Sequence, residues 1–121
     1  MQTAFFVGRT ILGLYFLMAG MMHFMKMRFM KDYAQSKHLP MPTLSVLMTG
    51  MVLMLGGLGV MLQLAIAWSY GVLIAFLVLA AFLMHNFWKA QDPQSKMADM
   101  VNFQKNLALA AALLMLLTLQ K

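Results

Sequence analysis

The chain has 121 residues and a net charge of +6; 63% of its residues are hydrophobic, and its mean hydropathy is +0.79. These values exclude an ordinary water-soluble domain and predict an integral membrane protein, whose cations meet membrane lipids rather than nucleic acid. The chain has no cysteine, which excludes disulfides, thiolate nucleophiles and thiolate metal sites.

The first apolar segment, residues 3–24, is long enough to cross a bilayer core, which needs about 20 residues. On a helical period one face of it carries two glycines, a phenylalanine and a polar residue near each end: Arg9, Gly13, Phe16, Gly20 and His23. We predict that this face packs against other helices, because glycine allows close helix approach and polar groups avoid lipid.

The linker that follows, residues 25–43, is basic and closes with Leu39-Pro40-Met41-Pro42, which ends any helix. It has room for a short amphipathic piece lying on the membrane. From Thr43 to Trp88 no residue is charged, and this length predicts a helical hairpin with spans 44–62 and 67–87 and a turn between Gln63 and Tyr70.

Asp92-Pro93 predicts a chain break in the next linker, residues 89–100, and a fourth span follows at 101–119. The fold class is therefore predicted to be all-α, a four-helix transmembrane antiparallel bundle forming a single domain over residues 1–121. Apart from Arg9 and Lys121, every cation lies on the side of the two linkers. The positive-inside rule then places both linkers in the cytoplasm and both termini outside a bacterial-type inner membrane.

This topology brings polar side chains from three spans to one membrane face. They are His23 at the end of the first span, His85 and Trp88 at the end of the third, and Lys105 and Asn106 at the start of the fourth. A quinone needs an apolar slot for its ring and tail and hydrogen-bond donors for its carbonyl oxygens, and these side chains include such donors. The alternative is that they anchor, snorkel or cap helix ends at headgroup level.

Four pieces of the sequence have a recognisable pattern: Arg9-Thr10-Ile11-Leu12-Gly13 with Ala19-Gly20 and His23, Gly56-Gly57, His85-Asn86-Phe87-Trp88, and Phe103-Gln104-Lys105-Asn106-Leu107-Ala108. In these pieces the chain resembles the DoxX family of small four-span membrane proteins. The resemblance implies a role in redox chemistry at the membrane. One branch of the family is associated with thiosulfate:quinone oxidoreduction, and another with membrane assemblies that deal with oxidative stress. Family members often carry a carboxylate shortly before the paired glycines, where this chain has Leu53. With no acid in any predicted span, the sequence offers no obvious proton path.

The leading hypothesis is a DoxX-like subunit of a redox system whose quinone-facing or lipid-facing site, at the cytoplasmic end of the bundle, is lined by His23, His85, Trp88, Lys105 and Asn106. A redox-protein partner would supply the electron-transfer cofactor, and no intrinsic cofactor is expected. As an enzyme the chain is at most an oxidoreductase subunit, because it has no catalytic triad, phosphate loop or paired carboxylates. Arg9 suits an anionic lipid headgroup and a partner's carboxylate equally.

Three alternatives stay open at this stage. The first is a non-enzymatic scaffold, which forms a homo-oligomer or docks a cytoplasmic protein on its basic linkers. The second is haem, with His23 and His85 as axial ligands of one iron. The third is Cu(I), because Met18, Met22 and Met25 share a helix face in a chain with sixteen methionines, although methionine is also a common apolar filler.

Overall fold

A computed structural model describes residues 2–119, and all the regular structure in this range is helical. The elements are, in chain order, α1 (Gln2–Met25), α2 (Met27–Ser36), α3 (Pro42–Leu62), α4 (Ile66–Leu83), a short 3-10 helix (Phe87–Lys89) and α5 (Pro93–Leu119). Four segments of the described chain are long and apolar enough to cross a membrane. They are α1, α3, the segment Ile66–Lys89, which contains α4 and the 3-10 helix, and α5. The predicted all-α fold class is confirmed, while Lys121, used above to predict the orientation, lies outside the described residues.

Two helix ends differ from their predicted positions, and both lie beside the candidate site. α4 ends at Leu83 instead of continuing to about residue 87, and the 3-10 helix follows a short irregular stretch. α5 begins at Pro93 instead of about residue 101. The carboxylate of Asp92 accepts a hydrogen bond from the Ser95 amide at 3.0 Å, which caps the helix, and proline at the first helical position needs no donor. The predicted chain break is present, since residues 90–92 are not helical, but it ends at Pro93, where α5 already starts.

The chain divides into two compact units, Met1–Leu73 and Ile74–Lys121. In the first unit α1 packs along α3 through glycine. A Cβ atom at Gly57 would lie 2.6 Å from the Leu17 nitrogen and 2.7 Å from the Gly13 carbonyl oxygen, so the two backbones touch there. The predicted packing face of α1 is confirmed, since Gly13, Phe16 and Gly20 are buried.

In the second unit α5 carries a buried stripe at helical spacing. Its members are Asp99, Asn106, Ala110 and Leu113. The stripe begins with the polar residues Asp99 and Asn106 and becomes apolar further along the helix.

Candidate functional site

A histidine and an aspartate form the polar centre of the second unit. His85 lies just after α4, and its Nδ1 is 3.8 Å from Oδ1 of Asp99 on α5. The two side chains are only 15% and 9% exposed. At this separation the contact is an ion pair when His85 is protonated, and it is too long for a direct hydrogen bond.

Asp99 is the functional candidate that the sequence reasoning missed. Asp99 lies two residues before the predicted fourth span, which contains no acid at residues 101–119, but the helix that carries this span begins at Pro93 and therefore includes Asp99. The missed signal was the start of α5: an aspartate followed by proline, with Ser95 two positions further on, is a helix N-terminus signature. Recognising it would have put Asp99 on the same helix as Asn106.

Four aromatic rings surround the loop that carries His85. The ring of Phe103 on α5 is their hub, at 5.2 Å from Phe82, 5.4 Å from Phe87 and 5.7 Å from Trp88, all edge to face. Such pairs stabilise by about 0.5–1.5 kcal/mol beyond their buried area, so they fasten the loop to α5. Because Phe103 follows Asp99 by one helical turn, the aromatic cluster and the ion pair lie on the same part of α5. Trp88 remains half exposed.

The predicted site residues of α5 separate onto two faces. Asn106 is buried at 5% exposure and follows Asp99 by seven residues, which puts both on one face about 10 Å apart along the axis. Lys105 is exposed and lies about 100° round the helix from Asn106. The structure thus brings His85 and Trp88 to the Asp99 face, adds Asn106 further along it, and directs Lys105 elsewhere.

His23 belongs to the first unit, near the end of α1. Its Nδ1 lies 2.8 Å from the Ala19 carbonyl oxygen, one turn earlier, so Nδ1 carries a proton and donates it there. In the neutral ring Nε2 is then the acceptor. That His23 faces the other site residues, or shares a haem iron with His85, stays a prediction. Among the described residues no group of three or more His, Asp, Glu or Cys side chains is arranged to hold a metal ion.

Arg9 contacts the end of a neighbouring helix. Its Nη2 donates a hydrogen bond of 3.4 Å to the Met61 carbonyl, and its guanidinium lies 5.4 Å from the centre of the Phe6 ring. Since α3 ends at Leu62, the Met61 carbonyl has no donor within its own helix and lies at the negative end of the helix dipole. The chain therefore supplies Arg9 with a partial counter-charge. Binding of an anionic lipid or partner by Arg9 stays a prediction.

The three methionines considered for copper lie on the exposed surface of α1. Met18, Met22 and Met25 are all exposed, and on a membrane helix such side chains contact lipid. The prediction that they bind Cu(I) therefore remains untested.

These features define a multi-pass membrane protein with a histidine-aspartate pair beside an aromatic cluster. A family model described as DoxX matches residues 4–86, which is more than half of the chain, and the chain belongs to the DoxX family. The matched region includes Arg9, His23 and His85 and stops before Trp88 and α5. Comparison with curated proteins and with solved structures gave no match.

Proposed function

We propose that this protein is a membrane subunit of a redox system that binds a quinone beside His85 and Asp99, while a partner protein supplies the electrons. The observation that carries the proposal is the contact of His85 with Asp99, whose side chains are only 15% and 9% exposed, beside a cluster of four aromatic rings. A quinone ring packs well against aromatic side chains, and its carbonyl oxygens require hydrogen-bond donors. Both kinds of group lie within one part of the second unit.

The ion pair suits the proton chemistry of a quinone. Reduction of a quinone to a quinol adds two electrons and two protons, one proton at each carbonyl oxygen. When His85 is protonated, Nδ1 faces Asp99, and Nε2 donates to a carbonyl oxygen of the ligand. Asp99 compensates the imidazolium charge in apolar surroundings, where an isolated charge is unfavourable. The pair therefore both holds the ring and delivers one of the two protons as electrons arrive from the partner, and water at the membrane face supplies the other.

The other predicted residues take supporting roles in this proposal. Trp88 forms the half-exposed edge of the site, and Asn106 offers a second polar group on the Asp99 face of α5. The proposal keeps Lys105 and His23 as further polar residues that the sequence predicts at that membrane face. The proposal also includes the predicted orientation in a bacterial-type inner membrane, with both termini outside and the two linkers in the cytoplasm.

The test uses the fluorescence of Trp88. The chain has two tryptophans, so Trp68→Phe leaves Trp88 as the only reporter, and Trp88→Phe leaves Trp68 as a measure of non-specific quenching. Purified protein in mild detergent is titrated with a short-tailed quinone such as decylubiquinone. We expect saturable quenching of Trp88 that His85→Ala weakens, and only linear quenching of Trp68.

Equal, non-saturable quenching of both tryptophans would contradict the proposed site. If a partner protein were retained through purification in that case, the scaffold alternative would replace the quinone proposal.

A further inference from the structure

The short helix α2 follows directly on the first candidate membrane span. α1 contains 24 residues and is about 36 Å long, enough to cover a bilayer core of about 30 Å. Only Lys26 separates the end of α1 from Met27, the first residue of α2. α2 has 10 residues and is too short and too polar to cross the membrane, so it begins where the first span ends.

α2 has three distinct sides. One side packs against α3, with Ala34 buried at its centre and Met27 and Met30 half buried. The second side carries Phe29, which is 67% exposed. The third side is polar and carries Arg28 and Lys31. An exposed aromatic ring beside a basic face is the pattern of a helix that lies in the membrane interface.

The cations on and beside α2 outnumber the acids of the first unit. Lys26, Arg28 and Lys31 are exposed, and none of them forms a salt bridge with any residue in the range 2–119. The first unit has a single acid, Asp32, against these cations and Lys37. Nζ of Lys37 lies 5.8 Å from the centre of the Tyr33 ring. The local excess of positive charge favours contact with an anionic surface outside the chain.

We propose that α2 is an interfacial helix that selectively binds anionic phospholipids of the adjacent leaflet. Lys26, Arg28 and Lys31 contact the lipid phosphates, while the Phe29 ring enters the boundary of the acyl chains. Packing of Ala34 on α3 fixes the helix in this orientation. The inference depends on charge, exposure and depth in the first unit, and it is independent of the quinone proposal.

The experiment is native mass spectrometry of the full chain in mild detergent, titrated with dioleoylphosphatidylglycerol or dioleoylphosphatidylcholine. K26Q/K31Q is compared with K89Q/K96Q, which removes two exposed lysines outside α2. We expect wild type to prefer phosphatidylglycerol, K26Q/K31Q to lose about tenfold in affinity for it, and K89Q/K96Q to change by less than about twofold. Phe29→Ser should weaken binding without any change of charge. Circular dichroism verifies that each variant keeps its helix content.

Equal affinity for both lipids, or equal losses in the two double variants, would overturn the proposal, because net charge alone would then explain the binding. Displacement of the lipid by glycerol phosphate at similar concentration would indicate a site for a free phosphate instead. Unchanged lipid binding in K26Q/K31Q, with loss of a co-purifying acidic protein, would assign the surface to a protein partner.

Discussion

In the first unit α1 and α3 touch backbone to backbone at Gly13 and Gly57, whereas in the second unit α5 is joined to its loop by an ion pair and aromatic rings. The first arrangement depends on the absence of side chains, and the second depends on particular side chains. Substitutions at the contact between α1 and α3 should therefore act on stability, and those at the contact between α5 and its loop on quinone binding as well. The predictions below test this contrast.

Gly57→Ala should have the largest effect. The new Cβ would meet the backbone at Leu17 and Gly13, which cannot move aside as a flexible side chain can. We expect a loss of about 1–3 kcal/mol in the free energy of unfolding, measured by thermal denaturation in detergent. Gly71→Ala is the matched control, since a Cβ there meets nothing within 4 Å, and it should be neutral or stabilising by up to about 1 kcal/mol. Equal effects of the two would refute close backbone packing as the cause.

Asp99→Asn should weaken quinone binding about tenfold or more, because a protonated His85 would lose its counter-charge. The measurement is the dissociation constant from Trp88 quenching in the Trp68→Phe background. Asp92→Asn applies the same chemical change to an exposed carboxylate of the second unit, outside the site, and should leave the constant unchanged. A similar loss of quinone affinity in both variants would mean that the net charge of this part of the chain affects binding and that the contact between His85 and Asp99 does not.

Phe103→Leu should loosen the loop around Trp88, because it removes three ring contacts at once. In the Trp68→Phe background we expect the emission of Trp88 to shift to longer wavelength as the ring gains exposure, with a stability loss of about 1–2 kcal/mol. Phe29→Leu changes an exposed ring of the first unit and should leave that emission unaltered. An unshifted spectrum in Phe103→Leu would show that the loop is held by other contacts.

The smallest expected effect concerns the cap of α5. Hydrogen bonds from the Ser95 side chain and amide hold the pKa of Asp92 below its ordinary value of 3.8. Because the folded-state pKa is lowered, the cap stabilises the helix above the unfolded-state pKa and is lost as the pH falls through the folded value. We expect the Ser95 amide to exchange faster with solvent only below about pH 4. In Asp92→Ala the exchange should be fast at every pH, and a pH-dependent cap in that variant would contradict the assignment.

Much of the first unit could be predicted from the sequence. The packing face of α1 followed from the spacing of Gly13, Phe16 and Gly20, since glycine on a membrane helix mainly reflects close packing. The structure of the second unit was harder to predict, because the helix α5 begins before its apolar part. The residues before Val101 are largely polar, so hydropathy detects only the apolar portion, while the helix start is decided by the cap at Asp92. Because the start of the fourth helix was predicted too late in the chain, Asp99 was not recognised as a residue of that helix.

The side chains of the candidate site were therefore only partly predictable. His85 and Trp88 could be proposed from the sequence because polar and aromatic residues at the end of a span are conspicuous. The partner of His85 was not found, since an ion pair between a loop and a helix depends on where the helix begins. Similarly, Lys105 and Asn106 are neighbours in the sequence, but successive residues of a helix point in different directions, so the two side chains lie on different faces.

The contact of Arg9 with the end of α3 bears on how the chain enters the membrane during synthesis. α1 leaves the ribosome before α3, so Arg9 reaches the bilayer without the Met61 carbonyl that later accepts its hydrogen bond. Inserting an unpaired arginine at the centre of a helix costs about 2.5–3.5 kcal/mol, and less near an interface. We therefore expect the first helix to be held more firmly in the membrane once the third helix has been made, so that the two helices stabilise each other during biogenesis.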